Sequence, residues 1–206
     1  MHWQAWTVLI LASAYWLSAT AKGLILRWRT GKSAHPWPKP RLERALMVVW
    51  VADIAVWIAQ PVLILAGVKG PALRPLAEVP WADVGGAVLG VAALALSWLA
   101  WGQMGDSWRL GTHPKDRTEL VTSGLFARIR HPIYALQGWL LFGCVLLLPT
   151  PLSAGMAAVH LACILAKSSL EERHLLALHG EEYARYRRRV GAFWPRLLGP
   201  APEARP

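Results

Sequence analysis

An all-α integral membrane fold with five transmembrane helices is what this sequence predicts, and three observations predict it. The first is composition. Of 206 residues, 55% are hydrophobic, and the mean hydropathy is +0.33, as expected for one compact membrane domain covering residues 1–206 rather than two soluble ones. The second is segment length. Five apolar stretches approach the ~20 residues that cross a bilayer core, at about 3–26, 45–68, 81–101, 133–148 and 152–168. The third is charge placement: basic connections alternate with poor ones along the chain.

The first stretch, Trp3 to Leu26, has no basic leader and no small-x-small cleavage site behind it. It therefore reads as a retained span rather than a signal peptide. The second carries Asp53 inside it; an acid at that depth is either functional or paired with a neighbouring helix. In the third, Gly86-x-x-x-Gly90 with Gly85 and Ala93 offers a small-residue face for close helix packing. Pro149-Thr150-Pro151 is too short to hold structure of its own, so the fourth and fifth spans form a helical hairpin.

Arg27–Arg44 holds six Lys/Arg against one acid, whereas Lys69–Val79 holds only Lys69 and Arg74 against Glu78. Gly102–Arg130 holds five basic residues, the 149–151 tip none, and the chain from Glu171 onward seven. Five spans with an external N-terminus and a cytoplasmic C-terminus produce that alternation. The net charge of +10 then lies on cytoplasmic faces, where anionic headgroups attract it, and nucleic-acid binding is not needed to explain it. Cys144 and Cys163 both fall inside spans as small apolar residues, with neither a disulfide framework nor metal-ligand spacing around them. Eight of the thirteen tryptophans (Trp3, Trp6, Trp28, Trp37, Trp81, Trp101, Trp108, Trp194) sit near span ends, where interfacial anchoring is the expected job.

Two polar clusters break the apolar pattern. Ile129-Arg130-His131-Pro132-Ile133-Tyr134 stands where a loop enters the fourth span. Proline suits a first helical turn, and a helix N-terminus flanked by Arg130 and His131 would suit an anion. The fifth span leaves through Lys167 into Glu171-Glu172, and Lys167 to Glu171 is an i,i+4 step on one helical face. Beyond it, Leu175/Leu176, His179, Tyr183, Tyr186 and Val190 form an amphipathic stripe with arginines opposite. That stripe either lies on headgroups or folds back over the loop 102–130 and closes a pocket. The loop itself, about thirty residues and rich in aromatic and apolar side chains, reads as ordered and cytoplasmic. A helical hairpin would bring the two clusters together on one side of the membrane.

In order and spacing, Glu119-Leu120-Val121-Thr122-Ser123-Gly124-x-Phe126, Arg130-His131-Pro132-x-Tyr134 and Glu171-Glu172-x₇-Gly180-Glu181-Glu182-Tyr183-x-x-Tyr186 resemble the isoprenylcysteine carboxyl methyltransferase family, which is grouped with the phospholipid N-methyltransferases. The resemblance covers about residues 103–195 and does not reach the first two spans. It implies a membrane-embedded methyltransferase using S-adenosylmethionine. Carried over, Glu119, Leu120, Val121 and Phe126 would line the cofactor. His131, Pro132, Ile133 and Tyr134 would hold its amino-acid end or sulfonium region, and Glu171 would meet its polar groups. Lys167 stands where the eukaryotic enzymes carry an arginine facing the substrate, which keeps the charge but loses a bidentate fork; the text around Gly111-Thr112-His113-Pro114 also differs from theirs.

The residues support that chemistry on their own terms. S-adenosylmethionine offers a carboxylate for Arg130, His131 and a helix N-terminus, and an ammonium and ribose hydroxyls for Glu171. The acceptor is expected to be lipophilic or a small membrane-partitioning thiol, carboxylate or amine, entering from the bilayer. A thiolate or carboxylate needs no general base, whereas an ammonium must first lose a proton, for which Tyr134, Glu172 and His179 are candidates. High Ala, Arg and Trp content suggests a bacterial inner membrane. Two other classes remain open from sequence: a sterol-reductase-like membrane enzyme using NADPH, and a non-enzymatic scaffold that binds anionic lipid.

Overall fold

The structure is a computed structural model describing residues 2–31, 41–77, 80–108 and 120–196. Five α-helices run in chain order: α1 His2–Thr30, α2 Arg41–Leu65, α3 Pro80–Met104, α4 Pro132–Leu147 and α5 Pro151–Arg189. Single 3-10 turns lie at Pro71–Leu73, Gly105–Ser107 and Gly124–Ala127. Among the described residues there is no strand, and the one strand-like pairing is a parallel bridge between Ile129 and Gly191.

Four of the helices, α1, α2, α3 and α5, are long and apolar enough to cross a membrane. The fourth expected span is shorter. α4 has 16 residues, about 24 Å at 1.5 Å per residue against a hydrocarbon core of about 30 Å. Its two ends nevertheless lie at opposite ends of the bundle. The turn after it is tied to the C-terminal end of α2 by Gln60 Nε2 donating to Thr150 Oγ1 at 2.6 Å, and to the 66–79 connection by Leu76 N donating to the Pro149 carbonyl at 2.7 Å. Its start lies beside the end of α3, where Gln103 Oε1 accepts from Leu125 N at 2.8 Å.

α4 packs most extensively against α3, and small residues set the distance. A Cβ on Gly86 would stand 2.7 Å from the Gly143 carbonyl oxygen, and one on Gly143 would stand 2.6 Å from that of Gly86. No side chain fits between backbones that close, so the small face of the third span serves as a helix–helix contact. One stripe of α1 (Val8, Leu11, Ala12, Tyr15, Ala19) completes the main core with Trp57, Leu140 and Leu147. α5 begins on a capping box: Thr150 Oγ1 accepts from Ser153 N at 3.1 Å, and Ser153 Oγ accepts from Thr150 N at 3.0 Å. With Pro151 at the first helical position, this fixes the hairpin turn.

Two expectations need correction. The fifth span and the amphipathic stripe are not separate helices but one run of 39 residues, broken at Gly180 (φ 53°, ψ −125°). We take residues 152–168 as its membrane-spanning part; charged residues take over beyond. The break lets the last third turn onto the loop: Tyr183, Tyr186 and Val190 bury against Leu120 and Leu175, and Tyr186 Oη donates to the Phe126 carbonyl at 2.6 Å. The other correction concerns tryptophan. Trp3, Trp6, Trp28, Trp81 and Trp194 are exposed, as anchors should be, but Trp101 and Trp108 are buried because the ends of α3 and α4 converge over them. Trp37 lies outside the described residues.

Candidate active site

The end of α3, the start of α4 and the exit of α5 surround a cavity with an empty volume of about 550 Å³, part of it open to solvent. That size suits a small-molecule site. Phe126, Arg130, His131, Pro132, Ile133, Tyr134 and Glu171 all line it. So do residues absent from the motifs: Tyr15, Trp16 and Ala19 of α1, Trp50 of α2, Trp101 and Met104 of α3, Trp108, and Gln137 of α4. Two polar clusters some forty residues apart in sequence thus share one cavity, which runs from the helix ends down to the middle of α1.

Pro132 opens α4 with His131 at its N-cap, so the Ile133 and Tyr134 amides begin the helix without intrahelical acceptors. The amides one step earlier are already used. Arg130 N donates to the Gly191 carbonyl at 2.8 Å and His131 N to that of Ala192 at 2.9 Å. The Arg130 side chain is equally committed. Its Nε and Nη2 donate to Glu172 Oε1 at 3.0 and 2.6 Å, and its Nη1 donates to the carbonyls of Arg187 (3.2 Å) and Val190. Arg130 therefore staples α4, α5 and the segment after α5, with its charge turned away from any bound anion.

The two glutamates divide. Glu172 Oε1 also meets His131 Nε2 at 3.2 Å, and its Oε2 lies 3.5 Å from Arg187 Nε. The hydrogen bond from His131 and the adjoining Arg130 guanidinium push its pKa down to about 2. A carboxylate held that far down is a poor proton acceptor at neutral pH, which counts against Glu172 as a general base. Glu171 faces the cavity instead, with Oε2 3.8 Å from His131 Nδ1 and the Tyr134 hydroxyl hydrogen-bonded to it. His131 stacks between Tyr134 (5.8 Å) and Phe193 (5.7 Å), so both faces of its ring are covered.

The other sequence candidates lie farther out. Leu120 packs under Tyr183 and Tyr186, in a layer where burial pushes the Tyr186 hydroxyl up to about 12. Neither Leu120 nor Val121 is among the lining residues. Glu119 and the 111–114 text lie outside the described residues. Lys167 sits 4.5 Å from the centroid of the Trp50 ring, one helical turn from Glu171 and behind the cavity wall. His179 is on the amphipathic stripe, away from the cavity. Of α5, Glu171 alone among the described residues lines the cavity, so the stripe supports the loop from behind.

Sequence reasoning missed one buried pair altogether. Asp53 Oδ2 and His160 Nδ1 lie 2.7 Å apart between α2 and α5, with the rings of Trp50 and Trp57 edge-on to the imidazole at 5.4 and 5.5 Å. Asp53 thus has a neighbouring-helix partner. The only sequence signal for His160 was a polar residue in an apolar span. Among the described residues, no three His, Cys, Asp or Glu side chains gather as a metal ion would require.

Residues 81–182 match the family model described as phospholipid methyltransferase. This region belongs to the phospholipid methyltransferase family. The family match runs from α3 to Glu182, so it holds the His131–Pro132 corner and both glutamates, and it leaves out α1 and α2. It agrees with the resemblance drawn from the motifs, and it places the chain among membrane methyltransferases. Over 74 residues the chain is also 36% identical to a protein named methanethiol S-methyltransferase from Crocosphaera subtropica (strain ATCC 51142 / BH68). That alignment covers 36% of this chain and 28% of the relative, so the chain matches well under a third of the relative's length.

Proposed function

We propose that the protein transfers a methyl group from S-adenosylmethionine to a lipophilic or membrane-partitioning acceptor in this cavity. One observation carries the reading: His131 and Glu171, from separate polar clusters, face one cavity that continues among Tyr15, Trp16 and Trp50 to bilayer depth. The family match is consistent with it.

The lining residues fit such a donor. The Ile133 and Tyr134 amides at the α4 N-terminus suit its carboxylate, and Glu171, held by His131 and Tyr134, suits its ammonium or ribose hydroxyls. Aromatic faces at Tyr134, Trp50 and Trp101 suit a sulfonium cation. When bound, the group supplies an activated methyl carbon for in-line displacement. The protein's own work is then positioning and exclusion of water: Arg130 and Glu172 lock the entrance of α4, His131 aims Glu171, and the aromatic walls keep the deep end dry. We place this end of the bundle in the cytoplasm and the N-terminus outside, with α4 as the fifth crossing, in a bacterial inner membrane. The basic connections support that orientation.

Calorimetry on the purified protein in detergent tests the reading. S-adenosylhomocysteine should bind in the micromolar range, and NADPH should not compete. Glu171→Ala and His131→Ala should each weaken binding by about tenfold, the loss of one charge-assisted hydrogen bond. Unchanged affinity in both would remove this site, and no binding in any detergent would remove the function.

A further inference from the structure

Buried hydrogen-bond donors without acceptors gather at the deep end of the cavity. Gln137 is 2% exposed, Trp50 3% and Trp101 4%. The Gln137 Nε2 and the indole N–H groups of Trp16, Trp50 and Trp101 are shielded from water and have no partner. All four residues line the cavity. An unsatisfied buried donor is costly and uncommon in a native protein, and four around one space call for a common cause. The charges nearby point the same way. The Lys167 ammonium stands 4.5 Å from the Trp50 ring centroid, on the wall's far side. Asp53 is matched by His160 at 2.7 Å. The cavity's lining carboxylate, Glu171, lies at the other end beside His131.

We infer that this deep end is the subsite for the acceptor's reacting group, and that it selects a nucleophile that only accepts hydrogen bonds, a thiolate or carboxylate, over an ammonium. This rests on the methyl-transfer reading above. An ammonium would bring three donors to a wall of donors and must shed a proton where no carboxylate stands to take it. A thiol or acid loses its proton to solvent before it descends, and hydrogen bonds to the anion then keep it ionised at a depth that otherwise favours the neutral form. In the transfer, a lone pair on the acceptor's sulfur or oxygen forms the bond to the methyl carbon as the sulfonium's sulfur–methyl bond breaks. The anion becomes a neutral thioether or ester and the sulfonium a neutral thioether; no proton moves in that step.

The test uses the full chain in detergent and three acceptors sharing one octyl chain: octanethiol, octanoate and octylamine. Binding of each to protein saturated with S-adenosylhomocysteine is measured by calorimetry, and labelled methyl transfer is measured alongside. The thiol or the carboxylate should bind at least about tenfold more tightly than the amine, because unpaired donors discriminate strongly. Gln137→Leu and Trp16→Phe should each weaken acceptor binding several-fold and leave S-adenosylhomocysteine affinity unchanged; Trp16→Phe keeps the packing if Gln137→Leu fails to fold. Equal affinities, no acceptor binding, or a preference for the amine would overturn the inference. So would a loss confined to S-adenosylhomocysteine in the variants, which would assign the donors to the nucleotide. Failure of the wild-type protein to bind S-adenosylhomocysteine is a separate result, and it removes the methyl-transfer reading itself.

Discussion

Glu171 and Glu172 stand side by side in sequence but about 100° apart around α5, and that rotation separates what they do. Glu171 meets the cavity, so Glu171→Gln should lower nucleotide affinity with little change in melting temperature. Glu172 closes the Arg130 staple. Glu172→Ala should leave a nearly buried guanidinium without its counter-ion and cost about 3 kcal/mol, at the lower end for a broken buried pair, as read by thermal denaturation in detergent. Its pKa is depressed from 4.5 to about 2, so the stabilisation is fully present above about pH 4.5 and is lost as pH falls toward 2. The wild-type melting temperature should therefore drop over that acid window, and that of Glu172→Gln should drop less. His131, Tyr134 and Glu171 were readable from sequence because each sits where a span meets a polar segment. The committed state of Arg130 was not readable, because its acceptors are main-chain carbonyls at Arg187 and Val190, which no motif marks.

Among the elements, α5 depends on its break. A left-handed φ with ψ −125° at Gly180 is strained for any side chain, so Gly180→Ala should cost about 1–3 kcal/mol. It should also favour a straighter helix that lifts Tyr183 and Tyr186 off the loop, seen as faster proteolysis near Phe126. At the α2–α5 interface, Asp53→Ala alone should destabilise more than Asp53→Leu with His160→Leu together, since an unpaired buried group costs more than none. Five apolar stretches, the hairpin turn and the small-residue face of α3 followed from periodicity and punctuation. The division of the last stretch did not. Helical propensity continues through residues 168–189, and only the backbone angle at a single glycine records where the direction changes.

Across the whole molecule, every helix contributes to a cavity whose family-matched part, residues 81–182, comprises α3, α4 and most of α5. The remaining walls come from α1 and α2, through Tyr15, Trp16 and Trp50. Sequence reasoning left those residues among the lipid-facing apolar positions, because which face of a span turns inward is decided by packing with helices far away in sequence. A reporter tag placed before α1 should be reached by a membrane-impermeant reagent in intact cells, while one in the 32–40 connection should be reached only after permeabilisation. The opposite pattern would put the cavity on the wrong leaflet for a nucleotide made in the cytosol. The bridge from Ile129 to Gly191 has a temporal meaning as well. Arg130 and His131 find their carbonyl partners only in residues 187–192, which leave the ribosome after all five helices. A chain arrested before residue 187 should insert fully into the membrane and still be unable to hold a nucleotide.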